Sequence, residues 1–435
     1  MVGGKSDKIV IVGAGCFGIS TAYHLLERGY ENVTVIDRSS ILPAPDAAST
    51  DMNKIVRSSY SDAFYAQLAQ EAIQAWKAPH WGDTYHECGV LVLASTSDVS
   101  KNPYMASAYT NDRTLGCRTD FYPDGPSIRS KAFPANVPLS SFEDHFAYLN
   151  RDSGWAYSAQ GISRMIDMVV AKGGKVIPGK GVAELLRDEG KTSGVKLLDG
   201  TVYEADLVVL AAGSWTASAF PDLDLQGKCL ATGQSVATVQ LSPEEADIYR
   251  DCPVIMDFSS EFYMFPPNSE NTIKLGIHDP GYTHIPSAAG NPPISTPRTI
   301  TSHDTDGLRI PKEKVRELRN NLGKFYPELA KKPFASTRLC WYCEQPDEDW
   351  VIGYYPSDPS LVLATGGSGH AYKFLPVIGG VVADAIEGKL DPSLAEKFAL
   401  DRECIPASTS RTGSAKALDI ANLCSPHDLL PIPMA

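Results

Sequence analysis

The first forty residues constrain the fold of this chain more than any other segment. Residues 8–12 are a short apolar run rich in β-branched side chains, which is typical of a buried parallel strand. Gly13-Ala-Gly-Cys-Phe-Gly18 follows directly, and residues 19–28 then have the apolar spacing of a helix that Gly29 can end. A second apolar run covers residues 33–37. This order predicts a strand–turn–helix–strand unit at the start of a parallel sheet.

The glycines of this unit predict a nucleotide site. Gly13, Gly15 and Gly18 have the G-x-G-x-x-G spacing, and they open a helix whose backbone N–H groups and dipole can hold a pyrophosphate. Asp37 ends the second strand, about 20 residues further on, where its carboxylate can accept hydrogen bonds from ribose hydroxyls. The alternative, a purely structural turn with a solvated aspartate, does not explain why the glycines lie between a strand and a helix with an acid at the end of the next strand. We therefore predict a dinucleotide held by Gly13, Gly15, Gly18 and Asp37, with Arg38 beside it.

Two later glycine turns favour FAD over NAD as that dinucleotide. A predicted strand at residues 206–210 runs into Ala211-Ala-Gly213, and a predicted strand at residues 361–365 runs into Gly366-Gly-Ser-Gly369. FAD is long and is held by segments far apart in sequence, whereas an NAD enzyme needs one contiguous nucleotide domain. The predicted cofactor residues therefore also include Val182, Gly213, Gly367 and Gly369. An NAD-linked dehydrogenase and a non-catalytic nucleotide-binding protein are the alternatives from other classes.

Charge and hydropathy restrict the partners of the chain. Its 435 residues include 39 Lys and Arg against 52 Asp and Glu, a net charge of −13 that argues against a nucleic-acid partner. No apolar run reaches the roughly 18 residues that span a bilayer, so we expect no membrane segment. Residues 1–8 are short and polar, which predicts no signal peptide, and the last residues, Pro433-Met-Ala435, are not a peroxisomal address. We expect a cytoplasmic protein.

The nine cysteines do not predict a disulfide framework, because they are odd in number and scattered through a large chain. Cys340-Trp-Tyr-Cys343 has the spacing of a zinc or redox pair. No second pair lies nearby in the sequence to complete four ligands, so we expect no metal.

Hydrophobic periodicity gives a coarse map of the remaining chain. An Asp199-Gly200 turn between short apolar runs predicts a hairpin. An antiparallel sheet is predicted from three further runs, and Pro, Ser and Thr increase in the predicted surface loops. The segments are helices at 154–171, 312–326 and 374–388; strands at 175–178, 182–186, 195–198, 202–205, 229–241, 262–265 and 272–278; loops at 280–311; and a tail from 406.

The chain resembles the fungal amadoriases (fructosyl amino acid oxidases) and, more distantly, monomeric sarcosine oxidase, over nearly its whole length to about Gly388. The resemblance rests on motifs at five places: Ile9-Val-Ile-Val-Gly-Ala-Gly15, Asn53-Lys-Ile-Val-Arg57, Lys274-Leu-Gly-Ile-His278, Leu339-Cys-Trp-Tyr-Cys343, and Gly366-Gly-Ser-Gly-His-Ala-Tyr-Lys-Phe-Leu-Pro376. These families carry FAD and oxidise the secondary amine of an amino acid to an imine. Electrons pass to O2, which becomes hydrogen peroxide.

The resemblance implies a mixed α/β fold of the glutathione-reductase-like, DAO type. Such a fold joins a Rossmann-type FAD-binding domain to a second domain built on an antiparallel sheet. We predict a discontinuous FAD-binding domain at residues 1–90, 150–228 and 335–400, a substrate domain at 91–149 and 229–334, and a tail at 401–435. A monomer acting on a small amino-acid-derived substrate and O2 is the expected form.

Three residues are implied to act on the flavin. Cys340 matches the cysteine that forms a thioether to the flavin 8α-methyl group, which makes the cofactor a covalent 8α-S-cysteinyl FAD. Lys274 matches a lysine near flavin N5 that promotes reaction with oxygen. Lys54 matches a cation over the flavin, whereas Cys343 is expected to be a small core residue.

At the substrate-facing positions, the chain resembles sarcosine oxidase more than it resembles the amadoriases. Arg57 and Lys373 match two cations that hold the substrate carboxylate, and the amadoriases keep the lysine without that arginine. His278 and Tyr263 match active-site residues of sarcosine oxidase, and the amadoriases have a glutamate at the position of His278. Arg411 is a candidate match to a substrate-binding arginine of the amadoriases.

These positions predict an oxidase of N-methyl or other N-alkyl amino acids. The first alternative is a fructosyl amino acid oxidase, which the overall resemblance favours. Oxidation of pipecolate or saccharopine is the third possibility, and the extra carboxylates of saccharopine should require additional cations.

Overall fold

A parallel sheet and a larger, mostly antiparallel sheet organise the chain. The fold is that of a computed structural model, which describes residues 4–97, 102–286, 293–405, 411 and 413–431. The predicted tail and loops lie partly outside these ranges, at residues 287–292, 406–410, 412 and 432–435.

The strands account for both large sheets and two small ones. In chain order they are β1 (Lys8–Val12), β2 (Asn32–Ile36), β3 (Lys54–Val56), β4 (Tyr85–His86), β5 (Val90–Ser95), β6 (Thr119–Tyr122), β7 (His145–Asn150), β8 (Gly154–Ala156), β9 (Lys175–Ile177), β10 (Val182–Asp188), β11 (Lys191–Leu197), β12 (Val202–Glu204), β13 (Leu207–Leu210), β14 (Leu230–Gln240), β15 (Val254–Asp257), β16 (Phe262–Met264), β17 (Thr272–Ile277), β18 (Tyr282–Thr283), β19 (Ser336–Glu344), β20 (Val351–Tyr355), β21 (Asp358–Thr365) and β22 (Lys416–Ala417).

The helices lie mostly between these strands. They are α1 (Cys16–Glu27), α2 (Ala63–Trp76), α3 (Asn102–Thr114), α4 (Gly125–Lys131), α5 (Ser158–Ala171), α6 (Thr216–Ala219), α7 (Pro243–Tyr249), α8 (Ile300–His303), α9 (Lys312–Phe325), α10 (Pro327–Ala330), α11 (Ile378–Ile386) and α12 (Pro392–Phe398). Among the described residues, no helix combines the length and apolarity that crossing a bilayer requires.

The six-stranded sheet contains the predicted N-terminal unit. Its order is β20-β21-β13-β1-β2-β9, and every pair except β20 with β21 is parallel. All four residues of β13 are buried, because helices cover one face of the sheet and the small sheet that contains β11 covers the other. The carboxyl ends of β1, β2, β13 and β21 therefore meet at one edge of the sheet.

The ten-stranded sheet forms the second layer of the molecule. Its order is β22-β18-β14-β17-β16-β15-β5-β7-β6, and β19 pairs with β14 beside this path. Helix α9 covers one face and buries Leu318, Leu322 and Phe325, with the ring of Phe325 stacked on Phe262 at 5.6 Å between centroids. The predicted antiparallel pairing of residues 229–241, 262–265 and 272–278 is confirmed by the β14, β16 and β17 registers.

Three predicted segments differ from the structure. Residues 154–171 are not one helix, because β8 precedes α5; a Cβ at Gly154 would lie 1.9 Å from the carbonyl oxygen of His86, so glycine permits this close pairing. Residues 374–388 form an α-helix only from Ile378, because Val377, with a φ of −127°, interrupts the helical conformation before it. Residues 280–311, predicted as surface loops, also contain β18 and α8.

The position of β19 also differs from the predicted domain boundary at residue 335. All nine residues of β19 are in register with β14, from Ser336 opposite Thr238 to Glu344 opposite Leu230. Cys340 therefore lies on the large sheet, although the prediction assigned residues 335–400 to the cofactor domain.

The contact between α1 and α11 gives a direct test of this packing. A Cβ at Gly379 would lie 2.0 Å from the carbonyl oxygen of Ser20, whereas a Cβ at Gly380 would meet only His24, at 3.6 Å. Gly379→Ala should lower the free energy of unfolding by about 2 kcal/mol through overpacking. Gly380→Ala should leave it unchanged or raise it by up to about 1 kcal/mol, because alanine favours a helix. Chemical denaturation of both variants measures the difference, and equal effects would contradict the packing.

Candidate active site

The glycine turn between β1 and α1 leaves no room for side chains. Gly13 has a φ of +108°, and a Cβ there would lie 2.4 Å from the carbonyl oxygen of Ala211. A Cβ at Gly18 would lie 1.9 Å from the carbonyl oxygen of Gly13. Gly15 caps α1 with no side-chain hydrogen bond, so the first N–H groups of the helix are left for a ligand.

Asp37 is fixed at the mouth of this turn. Its Oδ2 accepts a hydrogen bond from the backbone N–H of Ala14 at 2.8 Å, and its Oδ1 accepts one from Ser39 at 2.8 Å. The neighbouring Arg38 lies with its guanidinium 4.0 Å from the ring of Trp215. The predicted acid and its neighbour therefore stand beside the turn.

A cavity of about 680 Å³ extends from this turn, a volume within the usual range for bound cofactors. It lies at the carboxyl edge of the six-stranded sheet and reaches β19 of the large sheet. Its wall includes most of the predicted cofactor residues, namely Gly13, Gly15, Asp37, Arg38, Lys54, Val182, Gly213, Gly367 and Gly369. Gly18, Cys340 and Lys373 lie behind this wall rather than in it.

Sequence reasoning missed one part of the wall. Thr296, Pro297, Thr299, Thr301 and Ser302 line the cavity, although their segment was predicted to be a surface loop. The Thr299 hydroxyl donates to Oδ2 of the buried Asp46, at 2.8 Å. The richness of this segment in Ser and Thr does not distinguish a cavity wall from an exposed loop, so the sequence carried no usable signal.

The hydrogen-bonding groups of the cavity wall fit FAD. The glycine turn offers backbone donors at a helix start, and Asp37 offers an acceptor near them. Two further wall residues, Asp46 and Ser214, each bury an oxygen that has no hydrogen-bond partner among the described residues. Buried polar atoms are nearly always paired in a folded protein, so these two oxygens favour a polar ligand.

Asp51 holds the two predicted lysines together near Cys340. Its Oδ2 accepts from Lys274 Nζ at 2.6 Å and from Lys54 Nζ at 2.9 Å, and Lys274 also donates to the Asn53 carbonyl at 2.6 Å. Lys54 Nζ lies 3.5 Å from the Sγ of Cys340, which is 1% exposed. The structure therefore brings Lys54, Lys274 and Cys340 into one cluster around a carboxylate that we did not predict.

The pKa values in this cluster follow from burial and the shared carboxylate. The pKa of Lys274 is lowered to about 8, mainly by burial. Repulsion from Lys54 contributes to the decrease, and attraction to Asp51 opposes it. Burial would also lower the pKa of Lys54, but Asp51 raises it above its usual range. Burial opposes ionisation of Asp51, yet Lys274 and Lys54 hold its pKa well below the usual range. Lys274 is thus the group of this cluster that can change charge near neutral pH.

Cys340 and Cys343 have different surroundings on β19. Cys340 packs with Val236, Tyr342 and Ala48, on the side of the strand that faces the loop after β2. Cys343 packs against the core around β13 and β21 and also lines the cavity, and its Sγ accepts from the Thr365 hydroxyl at 3.4 Å.

Arg57 and Lys373 converge on Tyr60. The guanidinium of Arg57 lies 4.6 Å from the Tyr60 ring, and Lys373 Nζ donates to the Tyr60 hydroxyl and to the His370 carbonyl, each at 2.7 Å. Arg57 is 7% exposed and Lys373 is 5% exposed. Burial and the charge of Arg57 lower the pKa of Lys373 well below its usual range. Within the described ranges, neither cation takes part in any ion pair with a carboxylate.

His278 lies against the glycine turn after β21, and Tyr263 lies against β17, near Lys54 and Cys340. A Cβ at Gly369 would lie 2.8 Å from the Cε1 of His278, so the imidazole sits against this turn. Burial lowers the pKa of His278 well below its usual range, and Arg411 and Arg57 reinforce the effect. Burial likewise raises the pKa of Tyr263. Both side chains are therefore neutral at physiological pH.

Arg411 is held by two carboxylates of the protein. Its guanidinium donates to Glu344 through two nitrogens, at 2.7 and 2.9 Å, and to Glu348 at 2.8 Å. A substrate carboxylate would have to compete with both glutamates for this guanidinium. We did not predict Glu344, Glu348, Asp51 or Tyr60; of these, Asp51 alone had a signal, as an acid three residues before the predicted Lys54.

The chain belongs to the FAD dependent oxidoreductase (DAO) family, whose profile matches residues 8–385. It is 32% identical to an L-saccharopine oxidase from Schizosaccharomyces pombe, over 88% of this chain and 91% of that protein. It is 26% identical to an N-methyl-L-tryptophan oxidase from Yersinia pestis, over 91% and 98% of the two chains. The crystal structure of fructosamine oxidase (Amadoriase II) from Aspergillus fumigatus is similar to it, with a TM-score of 0.83, 28% identity and coverage of 97% and 98%.

These findings establish the class of the protein. It has the DAO-type fold, and it is an FAD-dependent oxidoreductase. The predicted resemblance, fold class and enzyme class are therefore confirmed. The substrates named for these relatives differ from one another, and so the family does not by itself define the substrate of this chain.

Proposed function

We propose that the protein oxidises the secondary amine of an N-methyl or other N-alkyl amino acid to an imine, with O2 reduced to hydrogen peroxide. The observation that carries this proposal is the pair of buried cations, Arg57 and Lys373, with no carboxylate among their described ion-pair partners. A buried charge without a partner is costly, and a substrate carboxylate would remove that cost. Charge-assisted hydrogen bonds to both cations would also fix the orientation of the substrate.

The cations serve a second purpose in this proposal. FAD, when bound, accepts the two electrons and the hydrogen that leave the carbon next to the amine nitrogen. That nitrogen must be unprotonated for the electrons to leave. Arg57, Lys373, Lys54 and Lys274 lower the pKa of a bound amine through repulsion between like charges, so no separate general base is needed. His278 and Tyr263, both neutral, form polar walls of the substrate pocket.

Saccharopine is the second candidate substrate. It is an N-alkyl amino acid, and it is the substrate named for the relative that is 32% identical. Arg411 also supplies a third buried cation near His278. Glu344 and Glu348 already occupy the guanidinium of Arg411, which favours substrates with fewer carboxylates. A fructosyl amino acid remains the alternative that similarity to Amadoriase II favours.

The substrate class can be tested by anaerobic bleaching of the flavin absorbance. N-methyl-tryptophan and sarcosine should bleach it faster than saccharopine, pipecolate or fructosyl-valine. Arg57→Met should raise KM for the best substrate by about 30-fold or more, because hydrogen bonds to charged groups contribute roughly 1.5–3 kcal/mol. Lys331→Met, which removes an exposed lysine, is the matched control and should leave KM unchanged. Fast bleaching by fructosyl-valine would reject the N-methyl amino acid, and an unchanged KM in Arg57→Met would reject the carboxylate site.

We further propose that Cys340 carries the flavin through an 8α-S-cysteinyl bond. Support comes from its burial beside the cavity and from the contact of its Sγ with Lys54 Nζ at 3.5 Å. Wild-type protein should keep its flavin fluorescence after acid precipitation and denaturing electrophoresis, and Cys340→Ala should lose it. Cys343→Ala, three residues along the same strand, is the control and should keep the bond. Retention of bound flavin in Cys340→Ala would refute the assignment.

Lys274 is proposed to stabilise the negative charge that develops on O2 during reduction. Because its pKa is lowered to about 8, its ammonium is lost as the pH rises through that value, and the rate of reoxidation by O2 should fall with it. Asp51→Asn removes the carboxylate that raises this pKa, so the inflection should move to lower pH. Lys274→Met should slow reoxidation by about 100-fold or more and abolish the inflection. Stopped-flow reoxidation measures all three, and a pH-independent wild-type rate would contradict this role.

A further inference from the structure

Asp112 is a buried carboxylate that the proposed chemistry does not use. It is 0% exposed on α3, and no Lys, Arg or His within the described ranges forms an ion pair with it. Its Oδ1 accepts from the Ser58 hydroxyl at 2.6 Å, and its Oδ2 accepts from the hydroxyls of Ser59 and Tyr148, each at 3.1 Å. An ionised carboxylate can be kept inside a protein by several such donors, but it remains costly relative to an apolar residue.

The donors around Asp112 lead directly to Arg57. Ser58 and Ser59 follow Arg57 in the chain, and a guanidinium nitrogen of Arg57 donates to the backbone carbonyl of Ser59. The Ser59 residue thus joins Asp112 through its hydroxyl and Arg57 through its carbonyl. In this chain of hydrogen bonds, only Ser59 separates the Asp112 carboxylate from the Arg57 guanidinium.

The residue before Asp112 on α3 fixes the rest of the same segment. Asn111 Nδ2 donates to the carbonyls of Tyr60 and Ser61, at 2.9 and 3.0 Å. Tyr60 in turn accepts from Lys373 through its hydroxyl. From the other side, Asn150 on β7 donates to the Ser58 hydroxyl at 3.0 Å. Residues 58–61 are therefore held between α3 and β7, and both cations depend on them.

We propose that Asp112 is a positioning residue, which holds the Ser58–Ser59 segment so that Arg57 presents its guanidinium to the substrate carboxylate. This inference rests on the proposed function of Arg57. Asp112 does not touch substrate or flavin in this role; it acts through Ser59. A carboxylate suits this role because it accepts from three hydroxyls at once, and so it fixes both Ser58 and Ser59.

Binding of furan-2-carboxylate, which has no amine to oxidise, tests the proposal without turnover. Its Kd is measured from the change that it causes in the flavin absorption spectrum of the holoenzyme. Asp112→Asn should raise this Kd about tenfold in the presence of Arg57, the effect of one lost charge-assisted hydrogen bond. In an Arg57→Met background the same substitution should change the Kd less than about twofold, since the residue that it positions is gone. Asp120→Asn, an exposed acid on β6, is the control and should leave the Kd unchanged.

Kinetics add a second readout. With an N-methyl amino acid, Asp112→Asn should raise KM with little change in kcat, whereas oxidation of N-methylbenzylamine, which has no carboxylate, should be unaffected. If Asp112→Asn does not fold, Ser59→Ala serves as the second variant, because it removes only one hydroxyl. It should also raise KM and the Kd of furan-2-carboxylate.

The outcomes separate the two proposals. An unchanged Kd in both Asp112→Asn and Ser59→Ala, or an equal rise with and without Arg57, overturns the positioning role while leaving the carboxylate site intact. If Arg57→Met alone does not weaken furan-2-carboxylate binding, the carboxylate site itself is wrong and the inference falls with it.

Discussion

The carboxylate of Asp51 is the interaction on which the active site depends. It belongs to the segment that follows β2 and the glycine turn, and it accepts from Lys274 on β17 of the large sheet as well as from Lys54 on β3. One buried oxygen thus joins the large sheet to the small sheet that contains β3, beside Cys340. Either lysine would be destabilising in this interior without it, because an unpaired buried charge costs several kcal/mol. Burial at the same place lowers the pKa of Lys274, and Asp51 limits that decrease.

The glycine turn and the pair of cations differ in electrostatic character. At the glycine turn, backbone donors and one fixed acceptor, Asp37, suit a phosphate and a ribose. Elsewhere in the site, Arg57 and Lys373 lie close to the neutral His278, and the described ion pairs give these two cations no carboxylate. Arg411, by contrast, is paired with Glu344 within the protein. A dinucleotide and an anionic group therefore suit different parts of the site.

Much of the fold could be predicted from sequence, because its signals are local. The N-terminal unit, the strand before Gly213 and the final strand before Gly366 all combine an apolar run with a glycine turn, and all were predicted close to their observed bounds. Residues 154–156 were not, since their extended form depends on the backbone of His86, far away in sequence. The assignment of β19 to the large sheet likewise depends on pairing with β14, about one hundred residues earlier. Of the site, charged residues in motifs were found, whereas their partners Asp51 and Tyr60 were not, because a hydrogen-bond partner has no signature in a single sequence.

The wall of the cofactor cavity draws on residues from Val12 to Tyr372, and the segment around Thr299 closes it from the large sheet. During synthesis, the glycine turn leaves the ribosome more than three hundred residues before the last wall residue. The N-terminal unit alone therefore lacks most of the cavity wall while the chain is growing, however early that unit folds. The complete wall exists only once the residues up to Tyr372 have been made and folded.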